Sequence, residues 1–135
     1  MRGASAGVVA AAGWAACEPL LGRALRTPFS DVRMLGRLTG PERGWRARGL
    51  AVHLANGAVF GWAFERLAGG GIRRGVVVAQ AENAAFWPMM FAVDRLHADR
   101  RAGTWPPIAT NPRTIGYELV SHTIFGAILG ALTAR

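Results

Sequence analysis

The chain has only one cysteine, Cys17, and no lysine. A single cysteine excludes an internal disulfide and a metal cage built from several cysteines. The sequence also lacks a phosphate-binding glycine loop, a serine nucleophile elbow and a cysteine–histidine zinc pattern. An enzyme that uses one of these familiar motifs is therefore not expected.

Apolar residues are abundant and unevenly distributed. They make up 51% of the 135 residues and collect in four stretches separated by arginine-rich segments. Each stretch has about 20 residues, the length that crosses the core of a bilayer. The sequence therefore predicts an all-α, integral membrane four-helix bundle in one domain, 1–135. The predicted spans are 4–25, 49–67, 75–96 and 112–132.

The first stretch also resembles a signal peptide that ends at a lipid-attachment cysteine, Cys17. Such a signal needs a small aliphatic residue three positions earlier, where this chain has Trp14, and the apolar run continues to Leu25. These two departures favour a first helix that is retained over one that is cleaved.

Capping and breaking residues predict where helices begin and bend. Ser30 is placed to cap a short amphipathic helix over 31–38 in the first loop, and Asn111 to cap the fourth span. Pro19 and Pro88 lie inside spans one and three, where a proline removes a backbone hydrogen bond. We expect each proline to kink its helix.

The basic residues indicate a membrane orientation. The net charge is +8, and the arginines lie between the apolar stretches, which favours anionic lipid over nucleic acid as the partner. Eleven of the sixteen arginines flank or occupy the first and third loops. Because cytoplasmic loops are enriched in basic residues, we expect the large loops in the cytoplasm and both termini outside.

The two halves of the chain look duplicated. An offset of 69 residues aligns Pro19 with Pro88, and an offset of 65 aligns Gly61 with Gly126. Each half contains two spans, so the pseudo-repeats should be parallel and related by an axis along the membrane normal. Chance matching between alanine-rich helices is the alternative.

Polar side chains inside the spans cost free energy in hydrocarbon, so we expect each to have a structural or functional role. The candidate intramembrane polar cluster comprises Glu18, His53, Asn56, Glu82, Asn83, Glu118 and His122.

Spacing places three members of this cluster at one depth. Glu18, His53 and Glu118 each lie five residues from an arginine at the cytoplasmic end of their span. An offset of 65 also makes His53 and Glu118 equivalent positions. We therefore predict a Glu118–His53 contact. Three carboxylates near span ends, Glu65, Asp94 and Asp99, are expected to be solvated or ion-paired at the interface.

Three interpretations of the cluster stay open. It could join helices by hydrogen bonds worth about 0.6 kcal/mol each, or form a proton or solute pathway. It could also hold a metal or haem through Glu18, Glu118, His53 and His122. The spacing between Glu118 and His122 is Glu-x-x-x-His, whereas carboxylate-bridged metal bundles use Glu-x-x-His. No metal or other cofactor is therefore expected.

Small residues indicate how the helices pack. Gly57 and Gly61 lie one turn apart in span two, as do Gly126 and Gly130 in span four. Glycines at this spacing let two backbones approach closely. We predict that spans two and four meet through these faces.

Several short motifs resemble those of the YagU-like inner-membrane proteins. They are Glu18-Pro19, Thr27-Pro28, the sequence from His53 to Gly57, the proline-interrupted third span, and Glu118-x-x-x-His122. The resemblance implies a four-helix protein of the bacterial plasma membrane, loosely linked to acid tolerance, without established catalytic residues.

The sequence thus predicts a multi-pass membrane protein that is not an enzyme. A structural or accessory component is favoured, with the lipid bilayer and either a second copy or another membrane protein as partners. A proton-linked carrier or channel is the alternative, followed by a metal- or haem-binding protein. No nucleic-acid partner is expected.

Overall fold

A computed structural model describes residues 2–134, and helices are the regular structure throughout that range. The all-α prediction is therefore confirmed for the described chain. Its helices are α1 (Arg2–Leu25), α2 (Asp31–Leu38), α3 (Trp45–Leu67), α4 (Ile72–Phe86), α5 (Met89–Leu96), α6 (Ala98–Arg101) and α7 (Pro112–Leu132).

Local signals account for most helix ends. The Ser30 hydroxyl accepts a hydrogen bond from the Arg33 backbone N–H at 3.1 Å, and α2 begins at the next residue. The Asn111 side chain does the same for α7 at 2.9 Å. One difference from prediction is that α3 begins at Trp45, one turn early. Pro19 lies inside α1, which runs through it as one helix.

The third apolar stretch is broken, as its proline predicts. Pro88 separates α4 from α5, and the two helices meet at a bend of 54°. Within the described residues, α1 and α7 are long and apolar enough to cross a membrane, and the α4–α5 pair makes a third candidate. The helix α3 is not among these candidates, and its polar residues are spread along its length: Arg46, Arg48, His53, Asn56, Glu65 and Arg66.

Glycine contacts decide which helices pair. The helix α1 packs along α3, α4 packs along α7, and α1 also lies against α7. A Cβ atom added to Gly7 would collide with the carbonyl oxygen of Gly57, and one added to Gly75 would collide with that of Gly126. The predicted meeting of spans two and four through these glycine faces is therefore wrong, because other helices occupy both faces. The helices α3 and α7 contact each other instead through the rings of Phe60 and Phe125, whose centroids lie 5.3 Å apart.

The same contacts revise the register of the pseudo-repeats. Gly61 lies against the Gly3 carbonyl, and Gly130 against that of Gly71. Segments 53–61 and 122–130 share the pattern His-x-x-x-Gly-Ala-x-x-Gly at an offset of 69. This offset, rather than 65, relates α3 to α7, so His53 corresponds to His122 instead of Glu118. Alanine-rich helices can be aligned with each other at several sequence offsets. The backbone contacts that each helix makes with its antiparallel partner identify the correct offset.

Apolar side chains form two buried cores. One lies between the long helices and includes Trp14, Phe64 and Phe125. The other lies below the loops, where Phe29 and Trp105 pack around the end of α7. Between these cores the polar residues of α7 meet the start of α2. The buried face of α2 carries Asp31 and Met34.

Candidate functional site

A partly open cavity of about 610 Å³ lies among the long helices, and α2 borders it. Seven of its lining residues are polar or titratable: Asp31, His53, Asn56, Glu82, Asn83, Glu118 and His122. Six of these belong to the candidate cluster from the sequence, and only Glu18 lies elsewhere. The cavity is therefore the candidate site.

His122 links carboxylates from two helices. Its Nε2 atom lies 3.2 Å from Oε2 of Glu82 on α4, and its Nδ1 atom lies 3.3 Å from Oε2 of Glu118. The Nδ1 atom also lies 2.8 Å from the backbone oxygen of Glu118. An imidazole can take a proton at one nitrogen and release it at the other, so His122 can join the two carboxylates in a relay.

His53 occupies the equivalent position in the first half of the chain. The Trp14 ring lies between the two histidines, with centroid distances of 4.9 Å to His53 and 4.6 Å to His122. The Nε2 atom of His53 is buried and has no hydrogen-bond partner in the described structure. The predicted Glu118–His53 contact is not formed: among residues 2–134, Glu118 pairs with His122.

Asp31 is the site residue that sequence reasoning missed. It lies at the start of α2, is only 5% exposed, and borders the cavity. Burial raises the pKa of Asp31 well above its ordinary value, and the nearby charges of Glu118 and Glu18 raise it further. An aspartate in the first turn of a helix is common as a partner of the helix dipole. Its sequence position therefore did not mark it as buried.

Two carboxylate oxygens at the site are unpaired. Oδ2 of Asp31 and Oε1 of Glu118 are buried, and neither has a hydrogen-bond partner within 2–134. Glu118 is only 1% exposed. Buried carboxylate oxygens normally accept hydrogen bonds, because leaving them bare costs free energy. A shared proton or a bound cation would satisfy both.

Glu18 lies beside the cavity and anchors α2. Its Oε2 atom accepts a hydrogen bond from the Ser30 hydroxyl at 2.6 Å, and its Oε1 atom accepts one from the Val32 N–H at 3.1 Å. It borders a neighbouring groove of about 880 Å³ that also contains Arg23 and Arg46. Glu18 therefore positions Asp31 over the site instead of lining it.

The packing glycines set the width of the site. Gly57 lines the cavity, and its carbonyl lies against Gly7 on α1. Gly126 follows His122 by one turn and lies against α4, the helix that carries Glu82. Close contact between α4 and α7 therefore holds Glu82 within reach of His122.

The four proposed metal ligands do not form one cluster in the part of the chain that the structure describes. The described residues contain no group of three or more His, Cys, Asp or Glu placed to hold a metal ion. Glu18 and His53, two of the four proposed ligands, face the Ser30 hydroxyl and the Trp14 ring respectively. Of the four proposed ligands, the structure brings Glu118 and His122 together.

The carboxylates near span ends are more deeply engaged than expected. Asp94 accepts hydrogen bonds from the N–H groups of Ile108 and Ala109 at 2.7 and 2.9 Å, besides its ion pair with Arg100. Asp99 is 3% exposed. Glu65 accepts a hydrogen bond from the Gly3 N–H at 2.8 Å. These residues organise the loops and helix ends outside the cavity.

No protein family, curated protein or solved structure matches the chain. The resemblance to YagU-like proteins rests on the short sequence motifs alone and stays a prediction.

Proposed function

We propose that this protein is a multi-pass membrane protein that conducts protons through its carboxylate–histidine cavity, as a proton-linked carrier or channel. One observation carries the proposal: Asp31, Glu82, Glu118 and two histidines line a single cavity. Titratable groups inside a membrane bundle are expensive and typically mark ion or proton pathways.

The outer surface supports a membrane location. Large apolar side chains are exposed on all the long helices, among them Val9, Leu20, Val59, Trp62, Val77 and Leu119. Such a surface is unfavourable in water and favourable against lipid. On this proposal α1, α3, the α4–α5 pair and α7 form the four-helix bundle in a bacterial plasma membrane. The loops that contain α2 and α6 face the cytoplasm.

A continuous series of titratable groups supports a proton path. Glu82 contacts one nitrogen of His122, and Glu118 contacts the other. Glu118 in turn interacts with Asp31, at the loop end of the cavity. A proton accepted by Glu82 can pass through the imidazole to Glu118 and then to Asp31. The relay uses two proton acceptors on α7 and one each on α4 and α2.

Proton flux into liposomes tests the proposal. We expect flux from the purified wild type, and flux at the level of empty liposomes from Glu118→Gln and from His122→Gln. Glu42→Gln is the matched control, because Glu42 has a side chain 57% exposed and lies outside the cavity. Equal flux from all four proteins would overturn the proposal. Circular dichroism and size-exclusion profiles establish that the variants are folded.

A structural or accessory membrane component is the second candidate. The backbone contacts of Gly7 with Gly57 and of Gly75 with Gly126 favour it, because they bind the helices tightly without any need for transport. Wild-type protein that gives no flux above empty liposomes would support this candidate. The polar residues would then serve as hydrogen-bonding contacts between helices, and a second copy or another membrane protein would be the partner to seek.

A further inference from the structure

We infer that the cavity binds a hydrophobic organic cation, which its carboxyl groups exchange for protons. The inference deepens the proposed function and rests on it, because exchange requires the same proton-accepting groups. It identifies the chemical class of the substrate as a weakly hydrated cation that carries aromatic or alkyl groups.

Charge is the first argument. Three carboxylates line the cavity, and none of the arginines within the described residues does. This exclusion is notable in a chain whose net charge is +8. The lining that the structure describes holds three carboxyl groups, two histidines and no arginine, and this excess of acidic groups favours a cationic ligand over an anionic one.

Unpaired oxygens are the second argument. Oδ2 of Asp31 and Oε1 of Glu118 are buried without partners in the described structure. Asp31 comes from α2 and Glu118 from α7, so the two oxygens approach the cavity from different helices. A cation between them would relieve their mutual repulsion and occupy both acceptors.

The remaining walls decide what kind of cation fits. Aromatic rings from four helices border the cavity: Trp14, Phe60, Phe86 and Phe125. Aromatic faces attract organic cations, and flexible methionines such as Met34 and Met90 adapt to ligands of different shapes. A small, strongly hydrated metal ion needs several oxygen ligands, and residues 2–134 offer no such group. The volume of about 610 Å³ suits a small organic molecule.

Protons and the cation would compete for the same oxygens. The titratable groups that face the site are Asp31 from α2, His53 from α3, Glu82 from α4, and Glu118 and His122 from α7, with Glu18 of α1 and Tyr117 of α7 beside Asp31. The residues of α5 that line the cavity are methionines, which do not titrate. Uptake of a proton by Glu118 or Asp31 removes a negative charge and releases the cation, which is the coupling that an exchanger requires.

Two ions of the same shape and opposite charge test the inference. Tetraphenylphosphonium and tetraphenylborate are titrated into the purified full-length protein in detergent micelles by calorimetry, with empty micelles subtracted. We expect tetraphenylphosphonium to bind about tenfold more tightly or better. Equal or tighter binding of tetraphenylborate would overturn the inference. This comparison needs no variant, so a folding defect cannot obscure it.

Variants locate the binding site. Glu118→Gln and Asp31→Asn should each weaken tetraphenylphosphonium binding about tenfold, because each removes one of the two unpaired carboxylates. Glu42→Gln should bind as the wild type does. Phe86→Leu, which keeps every charge, should also weaken binding through loss of an aromatic face. Undiminished binding in all three cavity variants would exclude this cavity as the site.

Flux on the same preparation separates the two proposals. Proton flux without tetraphenylphosphonium binding would overturn the cation inference and leave the proposed function standing. Binding that is lost in Glu118→Gln, together with no flux in the wild type, would support the cation site and overturn proton conduction.

Discussion

Arg33 and Asp99 form a two-bonded ion pair across 66 residues of sequence. Nε of Arg33 lies 2.8 Å from Oδ2 of Asp99, and Nη2 lies 2.9 Å from Oδ1. The pair joins α2 in the first large loop to α6 in the third. Because α2 also carries Asp31, this contact outside the cavity helps to hold Asp31 at the cavity entrance.

Arg33→Gln should lower the free energy of unfolding by about 2–3 kcal/mol. The substitution leaves the carboxylate of Asp99 buried and without its main partner. The loss of stability is limited because the Arg33 side chain is 24% exposed. Thermal unfolding in detergent measures the effect. Arg101→Gln, an exposed position two residues past Asp99, is the control and should leave the midpoint unchanged. Equal midpoints for the two variants would contradict the pairing.

The stability that Asp99 contributes should disappear in acid. The hydrogen bond from Arg33 holds the pKa of Asp99 below its ordinary value, despite burial. A lowered folded-state pKa gives stability that is full above the unfolded value of about 3.9 and lost as pH falls through the folded value. Wild type should therefore exceed Asp99→Asn in unfolding midpoint at pH 7, and the difference should vanish well below pH 4. A constant difference would refute this account.

The effect of Asp31→Asn on stability should depend on pH in the opposite direction. Burial, with Glu118 and Glu18 nearby, raises the pKa of Asp31. A raised folded-state pKa gives stability that is full below the unfolded value and lost as pH rises through the folded value. Between the unfolded value of about 3.9 and the folded pKa, the variant should gain on the wild type by about 1.4 kcal/mol per pH unit, and above the folded pKa the difference should stay constant. A series of unfolding midpoints from pH 4 to pH 9 measures this, and parallel curves would count against the buried carboxyl.

Gly7→Ala should destabilise the pairing of α1 with α3. The added Cβ would collide with the Gly57 carbonyl, so the helices must separate at a cost of about 1–3 kcal/mol. Gly116→Ala is the matched control in α7, where an added Cβ meets nothing within 4 Å. It should stabilise the protein by up to about 1 kcal/mol through helix propensity. Unfolding midpoints that move in the same direction would argue against this helix pairing.

Cysteine labelling should find the two large loops on one side of the membrane. In a Cys17→Ser background, Arg43→Cys and Thr104→Cys should react with a membrane-impermeant maleimide only after cell lysis. Arg73→Cys, in the first turn of α4, should react in intact cells; all three positions are exposed. Labelling of positions 43 and 104 from opposite sides would contradict the Arg33–Asp99 contact. Labelling of both in intact cells would reverse the proposed orientation.

The helix ends and the polar residues of the site could be read from sequence because both depend on local patterns. Ser30 and Asn111 cap the helices that follow them, and Pro88 breaks the third apolar stretch. Polar residues in an apolar helix turn away from lipid. Six of the seven chosen residues therefore border the same cavity.

Contacts between distant residues could not be read in the same way. The choice of Gly7 as the partner of Gly57 depends on which helices pair, and glycine spacing alone is compatible with several pairings. The spacing of Glu118 and His53 suggested that these two side chains are in contact. In the structure His122, rather than His53, contacts Glu118. Asp31 borders the cavity because hydrogen bonds from α2 to Glu18 and to Asp99 hold that helix in place. These contacts join residues that are far apart in the sequence.

The sequence by itself determined the helical class, the positions of the helix caps and breaks, and the set of polar residues inside apolar stretches. These properties follow from hydrogen bonds and side-chain periodicity within one turn or one helix. Only the tertiary structure decided that Glu82, His122, Glu118 and Asp31 form one series. Their proximity depends on backbone contacts at Gly75 and Gly126 and on ion pairs between loops, which join residues far apart in the chain.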